Sequence, residues 1–512
     1  MHKQSQSVGI VDFLMHREER HIIIHKNKTS STITFAQLYE NILQAVSLVR
    51  SVGVSADSRV AVVAENSYDA LLIDLVLLKV GSTTVQVPET SAKDMITLVG
   101  EHRLNYIITT KQHKNIVNLS DYAEVITVSD LLVYKRIESN KYPDVNLTGV
   151  PAIIFSSGTS GKIKKLLVNG PGIIYHANAF FSLFDAEPDD LFLIFLPLSN
   201  YQQKLLIYGC ILSGINFCLT DIGNVLGALK SIKPTMFLAP PIFYETAWKL
   251  SQVPLTVSGG SEQTNTGMDN KEERLNNYFG GNLRIAWSGM APIARNILKS
   301  FQECGVPLYE AYGMTEYGPI TANSLLHNRF GSVGSTIVPG SVYIAHNDEI
   351  MVRTKYLLTS GYLDESPSDE KKVYVDAETI ATGDIGYIDD DGYLFIRGRK
   401  KDILITSSGH KIHPQLIEHA FHDIPNVTYT ILMGNDQPHL GVLVIVNKSE
   451  PDTKKQISNR ICQLNTGVCR IFPIRKWCVR EGEFSPENGM LTRNMKLNRT
   501  NIVEKYQADV FS

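Results

Sequence analysis

The chain has 512 residues, 43% of them hydrophobic, which is enough to bury large cores and more than one core usually spans, so at least two domains are expected. Its 49 basic and 52 acidic residues give a formal charge of -3, leaving no electrostatic footprint for nucleic acid and pointing to small-molecule partners. The six cysteines have neither the density of a disulfide framework nor a C-x-x-C zinc spacing, and they read as reduced residues of a cytoplasmic protein.

The first residues, Met1 to Ser7, lead into a short mixed segment without the apolar core of a signal peptide. Apolar strand-like runs follow at Arg59–Val63, Tyr106–Thr109, 194–196 and 235–238, and longer helical patterns lie between them. That alternation predicts an α/β fold with largely parallel sheets. The most hydrophobic run, 71–80, is broken by Asp74 and Lys79 and is too short to span a bilayer, so a buried helix is expected there and no transmembrane segment anywhere. Residues 253–281, rich in Gly, Ser, Asn and Glu, read as a surface loop or insertion. A strand pattern ending at Arg397 gives way to the charged connector Arg399-Lys400-Lys401-Asp402 and a new α/β unit. The domain boundary is expected there, dividing the chain into 1–399 and 400–512.

Directly after the apolar run Ala152-Ile153-Ile154-Phe155 comes Ser156-Ser157-Gly158-Thr159-Ser160-Gly161-Lys162-Ile163-Lys164. Glycines let backbone N–H groups turn inward around an anion, hydroxyls add donors, and lysine adds charge, so this is the make-up of a phosphate-holding loop. Neither the Walker pattern nor a dinucleotide G-x-G-x-x-G fits it. Downstream lie Trp287-Ser288-Gly289-Met290-Ala291-Pro292, Tyr309-Glu310-Ala311-Tyr312-Gly313-Met314-Thr315-Glu316, Thr382-Gly383-Asp384, Gly398-Arg399-Lys400-Lys401-Asp402 and a tail from Leu491 to Arg499. In this order and spacing the set resembles the adenylate-forming superfamily of acyl-CoA synthetases, luciferases and peptide-synthetase adenylation domains. The resemblance covers residues 33–506.

The resemblance implies a large N-terminal domain of packed sheets and helices, plus a small mobile α+β C-terminal domain. It implies ATP and Mg²⁺ as cofactors, and a carboxylic acid activated as its acyl-adenylate. Ser156, Ser157, Gly158, Thr159, Ser160, Gly161 and Lys164 would grip the β- and γ-phosphates. Tyr312 would stack on adenine, Thr315 would contact the α-phosphate and Glu316 would hold the metal, being the hard oxygen ligand that Mg²⁺ prefers. Asp384 would accept the ribose hydroxyls with Arg399 beside it. Lys496, in a tail close to that of fatty acyl-CoA synthetases, would bridge the acid's carboxylate and the α-phosphate as a point charge. The C-terminal domain would turn about Lys401, bringing Gly409 to a tunnel for the pantetheine of CoA or of an acyl carrier protein.

Departures from the family pattern mark the acid pocket, expected around Asn200, Gly289, Met290 and Ala291. Asn200 stands where many acyl-CoA ligases have an aromatic or histidine gate, and Met290 where fatty acyl-CoA synthetases have a second glycine. A methionine there would shorten the pocket unless it packs aside. The reading is an ATP-dependent carboxylate–CoA ligase for an apolar acid, with a fatty acid favoured. The alternatives are an enzyme loading a carrier-protein pantetheine, and a nucleotide- or acyl-binding regulator that has lost catalysis. His410, His413, His419 and His422 lack a cysteine or carboxylate set around them and read as structural or solvated rather than metal-binding.

Overall fold

The computed structural model describes residues 9–87, 99–100, 103–109, 123–128, 150–157, 163–183, 186–187, 189–252, 271–363, 370–485, 488–491 and 497–512. Two large sheets organise the N-terminal part. In one, Glu124–Thr127, Tyr106–Thr109, Arg59–Val63, Thr83–Gln86 and β1 (Ala152–Ser157) run parallel, and β2 (Ile163–Val168) then Thr359–Tyr362 close the edge antiparallel. The two helices α1 (Gly170–Phe181) and α2 (Tyr201–Ser213) pack on the inner face of this sheet. A second sheet has parallel strands Leu191–Ile194, Asn216–Leu219, β3 (Met236–Ala239), β4 (Ile285–Ser288) and β5 (Leu308–Met314), with β6 (Gly318–Ala322) antiparallel to β5.

Period-two side-chain alternation explains how one strand serves two cores. On Arg59–Val63, Val60 and Val62 face the core shared with α1, α2 and the second sheet, whereas Ala61 and Val63 face the outer layer. Strand positions read from the sequence agree closely, but the runs placed at 194–196 and 235–238 form strands over Leu191–Ile194 and Met236–Ala239. An antiparallel sheet of Val342–Ile344, Glu349–Arg353, β7 (Thr379–Ile388) and β8 (Leu394–Arg399) follows. The smaller C-terminal domain holds the hairpin of β9 (Leu404–Ile405) and β10 (Lys411–Ile412), and the mixed sheet Val427–Met433, Leu440–Val446 and Ile474–Glu481 with helices on both faces.

The segment read as a loop over 253–281 needs correction where it is described: Lys271–Tyr278 is a helix. Leu275 and Phe279, four residues apart, are fully buried against the neighbouring helix Pro241–Ser251, and Glu272 and Glu273 favour its first turn. Tertiary burial of two side chains overrode a polar composition. Residues 253–270 lie outside the described residues.

The run 71–80 lies in helix Tyr68–Val80, capped by Ser67 and closed by Gly81 at φ +85°. Its two charged residues are paired rather than solvated. Lys79 bonds Asp12 at 2.6 Å, and Asp74, 4% exposed, meets the Lys204 ammonium of α2 and accepts the Tyr208 hydroxyl at 2.6 Å. No helix among the described residues is long and apolar enough to cross a membrane. Removing one partner from a buried pair strands the other charge, so Lys204→Met is expected to lower stability by about 3–5 kcal/mol. Denaturant unfolding checks this, and adding Asp74→Leu to that variant should recover most of the loss; a single-variant loss below about 1 kcal/mol would contradict it.

Candidate active site

The centre of the site is the β5–β6 hairpin, whose turn carries Thr315 and Glu316. The strand register shifts between Tyr312 and Gly313, and a Cβ on Gly313 would stand 2.5 Å from the Gly318 carbonyl oxygen, so the bulge admits only glycine there. That bulge lets Tyr312 reach across to β7, where its hydroxyl donates to Asp384 Oδ2 at 2.6 Å. Burial first, then the neighbouring carboxylate, pushes the Tyr312 phenol well above its ordinary pKa, so it stays protonated and donates.

Asp384 is held from three sides. Gly383 turns the strand at φ +72°, the Thr382 hydroxyl accepts the Asp384 N–H at 3.0 Å, and that same hydroxyl donates to the Ile350 carbonyl at 2.8 Å. Opposite it in the ladder, Arg399 of β8 brings Nε to 3.0 Å from Asp384 Oδ1. Burial alone would lower the Arg399 pKa; Asp384, Tyr312, Asp402 and Glu316 together outweigh it and raise the value. Tyr312, Asp384 and Arg399, separated by up to 87 residues in sequence, are thereby assembled into one polar chain.

A second cluster joins the phosphate-loop region to the hairpin turn. Glu316 Oε1 accepts the Tyr362 hydroxyl at 2.8 Å, and the Glu316 carbonyl accepts the Thr359 hydroxyl at 2.6 Å. Lys164 of β2 holds its ammonium 4.4 Å from the Tyr362 ring centroid. Tyr362 therefore ties Lys164 to Glu316. No sequence signal marks it; its role comes from the pairing of Thr359–Tyr362 with β2. Ser156 and Ser157 end β1, while Gly158, Thr159, Ser160, Gly161 and Lys496 lie outside the described residues.

Beside Tyr312 opens a cavity of about 50 Å³ between α1, α2, β3 and the loop after β4. Its walls include Phe180, Leu205, Leu206 and Leu238, with Gly289 and Met290 on one side and Tyr312 and Gly313 on another. Met290 has φ +71°, a left-handed conformation that bulky residues adopt only at a cost. Asn200 caps α2 by accepting the Gln202 N–H at 3.2 Å, and its amide lies 3.7 Å from the Met290 sulfur. Asn200 thus braces Met290 from outside the lining. Ala291, expected in the acid pocket, is exposed and outside the lining as well, because the chain turns outward after Met290.

After β8, Lys400–Asp402 forms one 3₁₀ turn, in which Lys401 is exposed and Lys400 bonds Glu349 at 2.7 Å. Gly409 makes the turn between β9 and β10 at φ +80°, with open space where a Cβ would stand. The four histidines split up: His410 packs on Phe472, His413 precedes the helix Pro414–Glu418, and the His419 and His422 rings lie 5.0 Å apart. Burial lowers the pKa of both, that of His419 to about 4.

The family described as AMP-binding enzyme matches residues 14–363, and the AMP-binding enzyme C-terminal domain matches 401–511. A long-chain-fatty-acid–CoA ligase, FadD15 of Mycobacterium bovis, is 23% identical over 99% of this chain and 97% of its own length. A long-chain-fatty-acid–[acyl-carrier-protein] ligase, AEE15 of Arabidopsis thaliana, is 22% identical over 93% of this chain and 82% of its own. The fold matches that of o-succinylbenzoate CoA synthetase from Bacillus subtilis, solved with ATP and magnesium ion, at TM-score 0.76, 18% identity, and 95% and 98% coverage of the two chains. The chain belongs to the AMP-binding enzyme family, the adenylate-forming superfamily, and is an AMP-forming acid–thiol ligase.

Proposed function

We propose that this ligase joins an apolar acid of the fatty type to the thiol of CoA through an acyl-adenylate. The observation that carries this reading is the apolar cavity sharing Tyr312 with the Asp384–Arg399 chain, so one side chain borders both a greasy pocket and a polar cradle. In the first step a carboxylate oxygen attacks the α-phosphorus of ATP and the bond to pyrophosphate breaks. Asp384 and Arg399 would hold the ribose hydroxyls, Tyr312 would lie along the adenine, Thr315 would contact the α-phosphate, and Ser156 to Gly161 with Lys164 would grip the outer phosphates.

Glu316 suits a Mg²⁺ ion, which is usually held by one or two carboxylates plus substrate phosphates, since Oε1 is oriented by Tyr362. The ion would supply charge neutralisation on the phosphates. In the second step the thiol attacks the acyl carbonyl and AMP leaves. Division of the chain into 1–399 and 400–512, with rotation about Lys401 bringing Gly409 to the thiol arm, would serve that step. The name of AEE15 supports a second reading, in which a carrier-protein pantetheine is the acceptor.

Pyrophosphate release across a panel of carboxylic acids tests the first step; release with no apolar acid would end the proposal. Incubation with ATP, Mg²⁺, a reactive acid and CoA tests the second. Adenylate accumulating without acyl-CoA would move the acceptor to a carrier protein.

Pocket depth should depend on Met290. Met290→Gly removes a side chain from the lining and returns φ +71° to a residue that adopts it freely. The preference is expected to shift toward longer or bulkier acids by about 1–3 kcal/mol per methylene-sized mismatch relieved. Unfolding free energy should rise by about 1 kcal/mol from the relieved backbone strain. An unchanged chain-length profile would mean that another residue forms the floor.

A further inference from the structure

The connector between the two domains is pinned on both sides of Lys401. Upstream, Arg399 is held by Asp384 at 3.0 Å, and Lys400 bonds the buried Glu349 at 2.7 Å, so both are fixed to the antiparallel sheet that contains β7 and β8. Downstream, Asp402 is tied to the small domain by Gln415 of the helix Pro414–Glu418, whose Nε2 donates to Asp402 Oδ2 at 3.2 Å. The same amide reaches back over the connector, and its Oε1 accepts the Arg399 backbone N–H at 3.2 Å. Chemistry fixes which way the amide points, because a backbone N–H only donates and a carboxylate only accepts. Gly398 leaves room for it, since a Cβ there would collide with Gln415 Oε1.

One side chain of the small domain thus spans residues 399 and 402 and crosses Lys401. A hydrogen bond depends on direction as well as distance, so a turn of the small domain about Lys401 carries Gln415 off the Arg399 N–H. The bond to Asp402 travels with the small domain and is kept. Gly409 is exposed here, with open space among the described residues where a Cβ would stand, so this orientation is not the one in which its turn would line a thiol tunnel. Gln415 therefore favours the orientation that precedes the turn, and it steadies the Arg399 backbone while the Arg399 side chain holds Asp384.

We propose that Gln415 is a positioning residue, a clamp across the hinge that holds the small domain in its adenylating orientation and releases Arg399 before the thiol step. This rests on the ligase reading with its two steps, and it adds the residue that sets the balance between them. A hydrogen bond made in one orientation and lost in the other biases the two populations by its own net strength, which for a single bond amounts to about fivefold.

The test uses the full chain and compares two rates within each protein: pyrophosphate exchange with ATP, Mg²⁺ and octanoate, and thioester formation from supplied octanoyl-adenylate and CoA. In Gln415→Met, which keeps length and helix propensity and loses both bonds, the ratio of the second rate to the first is expected to rise about fivefold. Gln415→Glu combined with Asp402→Asn rebuilds both bonds, the carboxylate accepting from the Arg399 N–H and from the new amide, so the ratio should return close to the wild-type value. Because each ratio is taken within one protein, a change in folded fraction cancels. A fluorescent pair, one label at an exposed position on each domain, reads the orientation without turnover; the wild-type distance should shift toward a second population in Gln415→Met and return in the double variant. Rates that fall together, an unmoved label distance, or a double variant that behaves like Gln415→Met overturns the inference while leaving the ligase reading standing. No exchange by the wild type with octanoate or any other acid overturns the ligase reading, and the label distances then decide the clamp by themselves.

Discussion

Replacing Lys496 with Ala is expected to lower acid-dependent pyrophosphate exchange by about 10³-fold, or roughly 4 kcal/mol of transition-state stabilisation. The attacking carboxylate and the α-phosphate are both anionic, and a lysine ammonium between them offsets a repulsion that grows as they approach. Leu491 and Leu497, on either side of the segment that carries Lys496, bridge to each other, and Leu491 is buried in the small domain's core. The variant should therefore keep its fold. Thioester formation from supplied acyl-adenylate should survive, because that step no longer brings the two anions together. Exchange near the wild-type rate would remove Lys496 from the adenylation step.

Glu316→Gln is expected to lower adenylation by about 10²-fold and to weaken the dependence on Mg²⁺ concentration. Glutamine keeps a carbonyl oxygen for the Tyr362 hydroxyl, and the Thr359 bond goes to the backbone, so the hairpin turn should stay in place. Stability should change by no more than about 1 kcal/mol, the difference between a charged and a neutral acceptor. Those two readings separate a metal-holding role from a structural one. A full rate with an unchanged Mg²⁺ requirement would make Glu316 a support for Tyr362 and nothing more.

Motifs were legible in the sequence because their chemistry restricts residue type at fixed local spacing. Gly313 is needed where a Cβ would meet a carbonyl at 2.5 Å, and Gly383 where φ is +72°, and each leaves a mark that a reader of one chain can find. The alternation of strands and helices was legible for the same reason, since period and cap signals lie within a few residues. Asp384 with Arg399 beside it was expected from the resemblance, but the tie of Tyr312 to Asp384 across 72 residues was not.

Tertiary structure decided everything that depends on partners far apart in the chain. Asp74 looked like an interruption in an apolar helix until Lys204, 130 residues away, arrived beside it. Asn200 stood at a gate position by resemblance, and the fold made it a helix cap and a brace for Met290. Tyr362 carried no local signal at all, because a tyrosine among apolar neighbours is ordinarily core, and only packing shows which polar atom its hydroxyl meets. Sequence by itself determined the family, the nucleotide chemistry and the order of the elements. The shape and polarity of the apolar cavity beside Tyr312 were decided by how α1, α2 and the loop after β4 close on one another, since a cavity is a property of surfaces that meet only after folding.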